Sequence, residues 1–412
     1  MSSTMTSPNP AVPAPAPSAA PSPAAPTWSK GLEGVIAAET RMSFIDGAKG
    51  ILEYVGIPID ALARNSTFEE TVFLLWNGRL PKKAELEAFT QELRANYDLP
   101  KGFVERVQSC PTGAAPMHVL RTMVSALSMY DPNPDANDIP TARNKALAIL
   151  GQTPAIIAAF DRHRRGLPFV PPRKDLSFAA NFLNMLNGKE PTEAVTRAFD
   201  ICMILHADHG LNNSTFTARV IISTLSDMYS AITGAIGSLR GPLHGGANEE
   251  VMEMLNEIEQ LAKAQGKDPM QVIEPFIMDR LARRNEGARI MGFGHRVYKT
   301  IDPRATFLKT FSKQIAADTG NLKLYEMSSK IEEIMKREVG AKGIYPNVDF
   351  YSATTYHSIG LKLDLFTPMF AMSRISGWAG HVLEQLDGNR LFRPTTRYVG
   401  PHDAPYVPIE QR

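Results

Sequence analysis

The chain has 412 residues with 44 basic and 43 acidic side chains, so no net field draws it to nucleic acid or to an anionic membrane surface. That length allows a large core and more than one domain. Cys110 and Cys202 stand far apart and build neither a disulfide framework nor a zinc knuckle; with no run of about 18 apolar residues and no leader pattern, the sequence reads as a soluble, cytoplasmic protein in a reducing compartment.

Residues 1–28 form a Pro/Ala-rich tail, with eight prolines in the first 27 positions, a composition that buries no core and is expected to be disordered. Lys30 is the first basic residue, which argues against an Arg-rich transit peptide. Between Gly34 and Ile59, alternating segments separated by Gly47 and Gly50 predict a small β-hairpin region. From Ser66 the pattern turns helical, with Ser66 and Glu69 at capping-box spacing and a stop at Gly78. Amphipathic segments follow at 83–97, 117–130, 141–163, 176–186, 192–206, 215–239, 248–264, 272–284, 304–319, 322–339 and 367–386. No period of 20–50 residues recurs, so the chain is mainly α and not a solenoid.

Four segments are too specific for ordinary connectors: His206-Ala-Asp-His-Gly-Leu-Asn-Asn-Ser-Thr-Phe216, Arg240-Gly-Pro-Leu-His-Gly-Gly-Ala-Asn248, Met291-Gly-Phe-Gly-His-Arg-Val-Tyr-Lys299 and Tyr345-Pro-Asn-Val-Asp-Phe-Tyr351. His206 and His209, three apart on a helix face, suit a metal, satisfied core histidines or a hydrogen-bonded substrate. A zinc site wants a third ligand in a known arrangement, and its absence favours substrate hydrogen bonding. His244 precedes a helix whose positive end keeps an imidazole neutral, able to donate to an oxyanion; the plainer reading is that it closes a turn. His295 follows Gly292 and Gly294, where backbone N–H groups can approach a ligand closely. Asp349 has the position of a helix N-cap. Asp302-Pro303-Arg304 reads as cap, first-turn proline and an arginine that needs an anion. Arg374 interrupts a helix apolar on nearly every face; its partner is either a substrate carboxylate or an internal acid. No nucleophile elbow, Walker loop, dinucleotide fingerprint or C-x-x-C occurs. Together the pieces suggest chemistry on a small dicarboxylate.

In this order the four segments resemble the citrate synthase family, over about 34–412. The resemblance implies a mainly α, all-helical two-domain fold with a small N-terminal β region. It divides the chain into a first part of a large domain at 29–245, a small mobile domain at 246–358, and a second part of the large domain with a C-terminal arm at 359–412. It implies a homodimer that condenses acetyl-CoA with oxaloacetate, with no metal and no cofactor. His244, His295 and Asp349 are then catalytic. Oxaloacetate falls to His209, His295, Arg304, Arg374 and, from the other subunit, Arg393. The CoA region falls to Gly292, Phe293, Gly294, Lys299, Lys342 and Asn347. Two positions depart from the family pattern, Val55 where an arginine is common and Asn213 where alanine is usual. With no further N-terminal domain ahead of the core, an NADH-inhibited hexamer is not expected. The nearest rival is 2-methylcitrate synthase, which needs room for one more methyl group, worth about 1–3 kcal/mol. A metal-dependent hydrolase on His206, Asp208 and His209, or an inactive helical scaffold, are the readings from other classes.

Overall fold

The computed structural model describes residues 28–412, so the predicted disordered tail lies outside the described residues except for Trp28. The described chain forms two compact units, one of residues up to Glu39 with Pro394–Arg412 and one of Thr40–Arg393. The second unit holds a three-stranded antiparallel sheet, β1 (Ser43–Asp46), β2 (Ile51–Tyr54) and β3 (Ile57–Pro58), in the order β1-β2-β3; everything else regular in it is helical. Register pairs Ser43 with Tyr54 and Asp46 with Ile51. The turn between them is set by the Asp46 carboxylate, which accepts from the N–H groups of Ala48 and Lys49 at 3.1 and 3.0 Å. No helix of the described residues is long and apolar enough to cross a membrane.

Helix starts follow polar caps, as the sequence suggests, with small shifts. The first long helix is Phe68–Asn77, capped by Thr67 rather than Ser66, since the Thr67 hydroxyl accepts from Glu70 N. Segment 215–239 is not one helix: the chain breaks between Asn213–Ile222 and Met228–Leu239, where Leu225 takes φ +64° and Asp227 caps the second helix through Ser230 N. Apolar periodicity ran through the break because both helices bury the same side, while Ser226 and Asp227 carried the stop-and-restart signal.

The helix Phe366–Asp387 organises the core. It packs on Ile139–Arg164, Glu193–His206, Asn213–Ile222 and Met228–Leu239, with Ile375, Trp378 and Val382 fully buried. Each such side chain contributes roughly 2 kcal/mol through loss of apolar surface to water. Its small residues matter as much. At Gly377 the helix meets the 206–209 backbone, Gly377 N donating to Ala207 O at 3.1 Å, and a side-chain carbon there would overlap that carbonyl and the Asp208 carboxylate.

Candidate active site

The segment carrying His209 is irregular chain, not helix, because Glu193–His206 ends at the residue before Ala207. The expectation of two histidines on one helix face is therefore corrected. Tyr54 of β2 fixes the segment: its hydroxyl donates to Asp208 O at 2.8 Å and accepts from Asp208 N at 3.1 Å. Ser43 of β1 donates to Asp208 Oδ2 at 2.6 Å and accepts from Gly210 N at 3.0 Å. Three side chains then diverge. His206 Nδ1 meets Tyr356 OH at 3.0 Å, Asp208 faces His381 Nε2 at 3.3 Å, and His209 Nε2 meets Tyr298 OH at 3.1 Å. Among the described residues no group of three His, Cys, Asp or Glu side chains is arranged to hold a metal ion.

The glycine motif and the Tyr-Pro-Asn-Val-Asp motif are joined by an antiparallel bridge between Phe293 and Pro346. Gly294 N donates to Tyr345 O, and Asn347 N to Gly292 O, both at 2.9 Å. Gly292 has φ +77°, and a side-chain carbon there would stand 2.8 Å from both Phe350 and Val251, so only glycine fits. Asn347, not Asp349, caps the helix Val348–Ser358: its Oδ1 accepts from Asp349 N at 3.0 Å, and its amide donates to Gly294 O at 3.1 Å. The N-cap reading of Asp349 is thus corrected. Relieved of capping, its carboxylate has no hydrogen-bond partner among the described residues. Burial pushes that carboxyl up to about 6; Arg304 opposes the shift and Asp302 adds to it.

Two histidines are held by backbone donors on opposite nitrogens. His295 Nδ1 accepts from Val297 N at 3.0 Å and Tyr298 N at 3.3 Å. His244 Nε2 accepts from Ser214 N at 3.3 Å and lies 2.8 Å from the Ser214 hydroxyl. A backbone N–H can only donate, so the single proton of each neutral ring sits on the other nitrogen, Nε2 of His295 and Nδ1 of His244. Burial pulls both imidazoles down to about 4, with Arg374 and Arg296 assisting at His244 and Arg304 at His295. His244 is neutral as expected, but burial is the leading cause rather than the following helix end. His209 lies well below its ordinary value through burial first and Arg304 next, and its ring centroid is 5.3 Å from that of His295.

The arginines divide. Arg304, in the first turn of Pro303–Asp318, is 2% exposed and answers its cap: Nε and Nη2 donate to the two Asp302 carboxylate oxygens at 3.0 and 2.8 Å. The anion it needs is therefore internal, and Nη1 is left over. Burial works against its charge, yet the Asp302 carboxylate raises its pKa overall. Arg374, also 2% exposed, donates from Nε to His206 O at 2.6 Å and stacks over Phe370 at 4.6 Å, without an acidic partner in ion-pair range among the described residues. Burial brings it down to about 10. Arg304 and Arg374 both act on His209 and Asp349, which marks one cluster. Arg393 is exposed beyond the C-terminal end of the Phe366–Asp387 helix. Lys299, on a loop, and Lys342, at the end of the short 3-10 helix Gly340–Lys342, are both exposed, and Gly343 lies close to Lys299 O. The sequence reading missed Ser214, Tyr298 and Tyr54. The first two stand inside quoted motifs; nothing local marked Tyr54.

Neutral imidazole donors, a carboxyl without a hydrogen-bond partner among the described residues and two buried guanidinium groups in one cluster make a site suited to acid–base chemistry on an anionic substrate. The comparisons agree. The family model described as citrate synthase, C-terminal domain, matches residues 31–395. "Citrate synthase" of Haloferax volcanii is 48% identical over 93% of this chain and 98% of its own length. "Citrate synthase 2" of Bacillus subtilis is 49% identical over 94% and 100%. A solved ternary complex of citrate synthase from Thermoplasma acidophilum with carboxymethyl coenzyme A and oxaloacetate superposes with a TM-score of 0.86 at 36% identity, covering 94% of this chain and all of that one. The chain belongs to the citrate synthase family. It is an acyltransferase, and its activity is the condensation of acetyl-CoA with oxaloacetate and water to citrate and CoA. A 2-methylcitrate synthase of Mycobacterium tuberculosis is more distant, at 40% identity.

Proposed function

We propose that Asp349, His244 and His295 carry this condensation, the first step of the tricarboxylic acid cycle. Asp349 takes a proton from the methyl carbon of acetyl-CoA. A carboxylate is far too weak a base for that carbon acid unless the oxygen gaining charge is held, and His244 Nδ1–H supplies the donor. His295 Nε2–H polarises the keto oxygen of oxaloacetate. The methylene carbon attacks that keto carbon, a C–C bond forms as the C=O π bond breaks, and the former keto oxygen takes the Nε2 proton of His295 to become the tertiary hydroxyl, a proton the ring regains from the one Asp349 removed or from water. Water then cleaves the thioester of citryl-CoA, releasing citrate and the CoA thiol, with no protein nucleophile.

Arg304, Arg374 and His209 hold the oxaloacetate carboxylates, and Arg393 of a second copy completes the set in a homodimer. CoA lies along Gly292, Phe293 and Gly294, with Lys299, Lys342 and Asn347 at its polar groups. Segment 246–358 moves as the small domain and closes over oxaloacetate before the thioester binds. No cofactor beyond the substrates is used, and the free thiols of Cys110 and Cys202 suit a cytoplasmic setting.

The observation that carries this reading is the pair of opposite tautomers, which leaves one N–H of each neutral ring as an available donor, in a cluster where Arg374 acts on both His244 and Asp349, Arg304 acts on both His295 and Asp349, and the Asp349 carboxyl is raised to about 6. The test is oxaloacetate-dependent release of free thiol from acetyl-CoA, with propionyl-CoA and chelator as parallel arms. Asp349→Asn is expected to lower kcat by about 10³-fold with oxaloacetate binding retained. Unchanged turnover in that variant would remove Asp349 from the mechanism, and faster turnover of propionyl-CoA would reassign the acyl donor.

A further inference from the structure

We propose that Tyr298 is a positioning residue for oxaloacetate, orienting His209 through its hydroxyl and His295 through its ring and backbone N–H. It is 2% exposed and its ring packs against both imidazoles, with centroids 5.5 Å from His209 and 4.8 Å from His295, while the two imidazoles stand 5.3 Å from each other. The hydroxyl stands 3.1 Å from His209 Nε2, the sole side-chain hydrogen bond of that ring among the described residues. The backbone N–H of Tyr298 is one of the two donors that set the His295 tautomer. The residue is itself pinned from outside the site: Lys299 N donates to Gly47 O at 2.9 Å, and Gly47 leaves no room for a side-chain carbon against Val297 O. The hairpin turn therefore fixes the backbone on both sides of Tyr298, and Tyr298 in turn fixes both rings.

A neutral imidazole buried without a partner on Nε2 can turn about its terminal torsion, and each turn moves the N–H that a carboxylate would meet. The phenol removes that freedom before substrate arrives, so its contribution belongs to oxaloacetate binding rather than to carbon–carbon bond formation. This rests on His209 being an oxaloacetate ligand, and the test separates the two claims.

Tyr298→Phe keeps the ring and its apolar contacts and deletes only the hydroxyl. In the full-length enzyme it is expected to raise the oxaloacetate KM about tenfold, leave the acetyl-CoA KM within about twofold, and leave the thermal midpoint close to that of the parent. In a His209→Asn background the same change is expected to add nothing, because its effect passes through the ring already removed. A His209→Asn loss with no effect of Tyr298→Phe would overturn the positioning role alone. A Tyr298→Phe loss of equal size in both backgrounds would show that the hydroxyl does not act through His209. A Tyr298→Phe loss with a silent His209→Asn would overturn the positioning role and the ligand role of His209 together.

Discussion

Two clusters of buried ionisable groups lie in the unit Thr40–Arg393, and they spend their hydrogen bonds differently. One joins the helices Phe68–Asn77, Phe178–Asn187 and Glu193–His206. There Asp200 accepts from Phe68 N at 3.0 Å and from Arg197 Nη1 at 2.8 Å, while Glu69 accepts from Phe178 N at 2.8 Å. Arg197 also donates to Ser66 O and Ala63 O at 2.7 and 2.6 Å. The other cluster is the histidine site, where Arg374 donates through Nε alone and the Asp349 carboxylate has no hydrogen-bond partner. Both clusters raise a carboxylic acid, Asp200 by burial and then by Glu69, Asp349 by burial. A displaced pKa thus reports burial in either place. What separates the two is the bonding of the charged groups themselves: Asp200, Glu69 and Arg197 are hydrogen-bonded within the fold, whereas the Asp349 carboxylate has no partner among the described residues.

The largest expected contrast follows from the two arginines. Arg374→Met is expected to weaken oxaloacetate binding by about 100-fold, the loss of charge-assisted bonds to a carboxylate, and to leave thermal stability equal or higher, because the fold sheds a buried guanidinium without an ion pair. Arg197→Met is expected to cost about 2–3 kcal/mol of stability, since it strands Asp200 and the carbonyls of Ala63, Arg64 and Ser66, and to leave kcat and the oxaloacetate KM within about twofold. Calorimetric binding and denaturant unfolding on both variants read the two effects separately. A stable Arg197→Met that no longer bound oxaloacetate would erase the distinction.

Much of the site was legible because its chemistry is written in short stretches. Asp302-Pro303-Arg304 reads as cap, proline and first-turn cation, and so it stands; Arg374 reads as a charge out of place in an apolar helix, and so it remains. The family pattern then gathers residues that local reading leaves apart. What stayed hidden depends on contacts across long separations. Nothing near Tyr54 announces that it holds Asp208, more than 150 residues on, and nothing near Asp302 says that its carboxylate serves both a helix end and Arg304. The break at Leu225 and the transfer of the cap from Asp349 to Asn347 were missed for a different reason: several nearby polar residues could cap, and tertiary packing chooses among them.

Glycines give a contrast of intermediate size. Gly377 lies where the helix Phe366–Asp387 touches the backbone that presents His209, and a methyl group there meets the Ala207 carbonyl and the Asp208 carboxylate. Gly377→Ala is expected to cost about 1–3 kcal/mol by overpacking and to raise the oxaloacetate KM as the 206–209 segment is displaced. Gly78, the left-handed cap of Phe68–Asn77, has open space around it. Its replacement by alanine is expected to cost about 1 kcal/mol through backbone strain, with the oxaloacetate KM unmoved. Equal kinetic effects at the two glycines would mean that global loosening, rather than local displacement, governs the site.

The smallest effects are in pH, and the two clusters are expected to respond with opposite consequences. In the role proposed above Asp349 works as the carboxylate, and kcat/KM is then expected to fall about tenfold per pH unit as pH drops below about 6. Asp200 is a carboxyl whose folded pKa lies above its unfolded value of about 4. The folded state therefore binds the extra proton, and the stability this confers is full below about pH 4 and is lost as pH rises toward the raised value. Asp349 adds a slope of the same sign. Asp200→Asn is expected to flatten the decline of unfolding free energy with pH while leaving the acid limb of activity in place, because the groups that set Asp349 are Arg304, Asp302, Arg374 and Glu250, and Asp200 is not among them. Unfolding curves and kcat/KM, each followed from pH 4 to 8 on this variant and its parent, read the two limbs independently. If the activity limb shifted with Asp200→Asn, the two clusters would share one electrostatic environment, and unmet hydrogen-bonding capacity would no longer suffice to tell them apart.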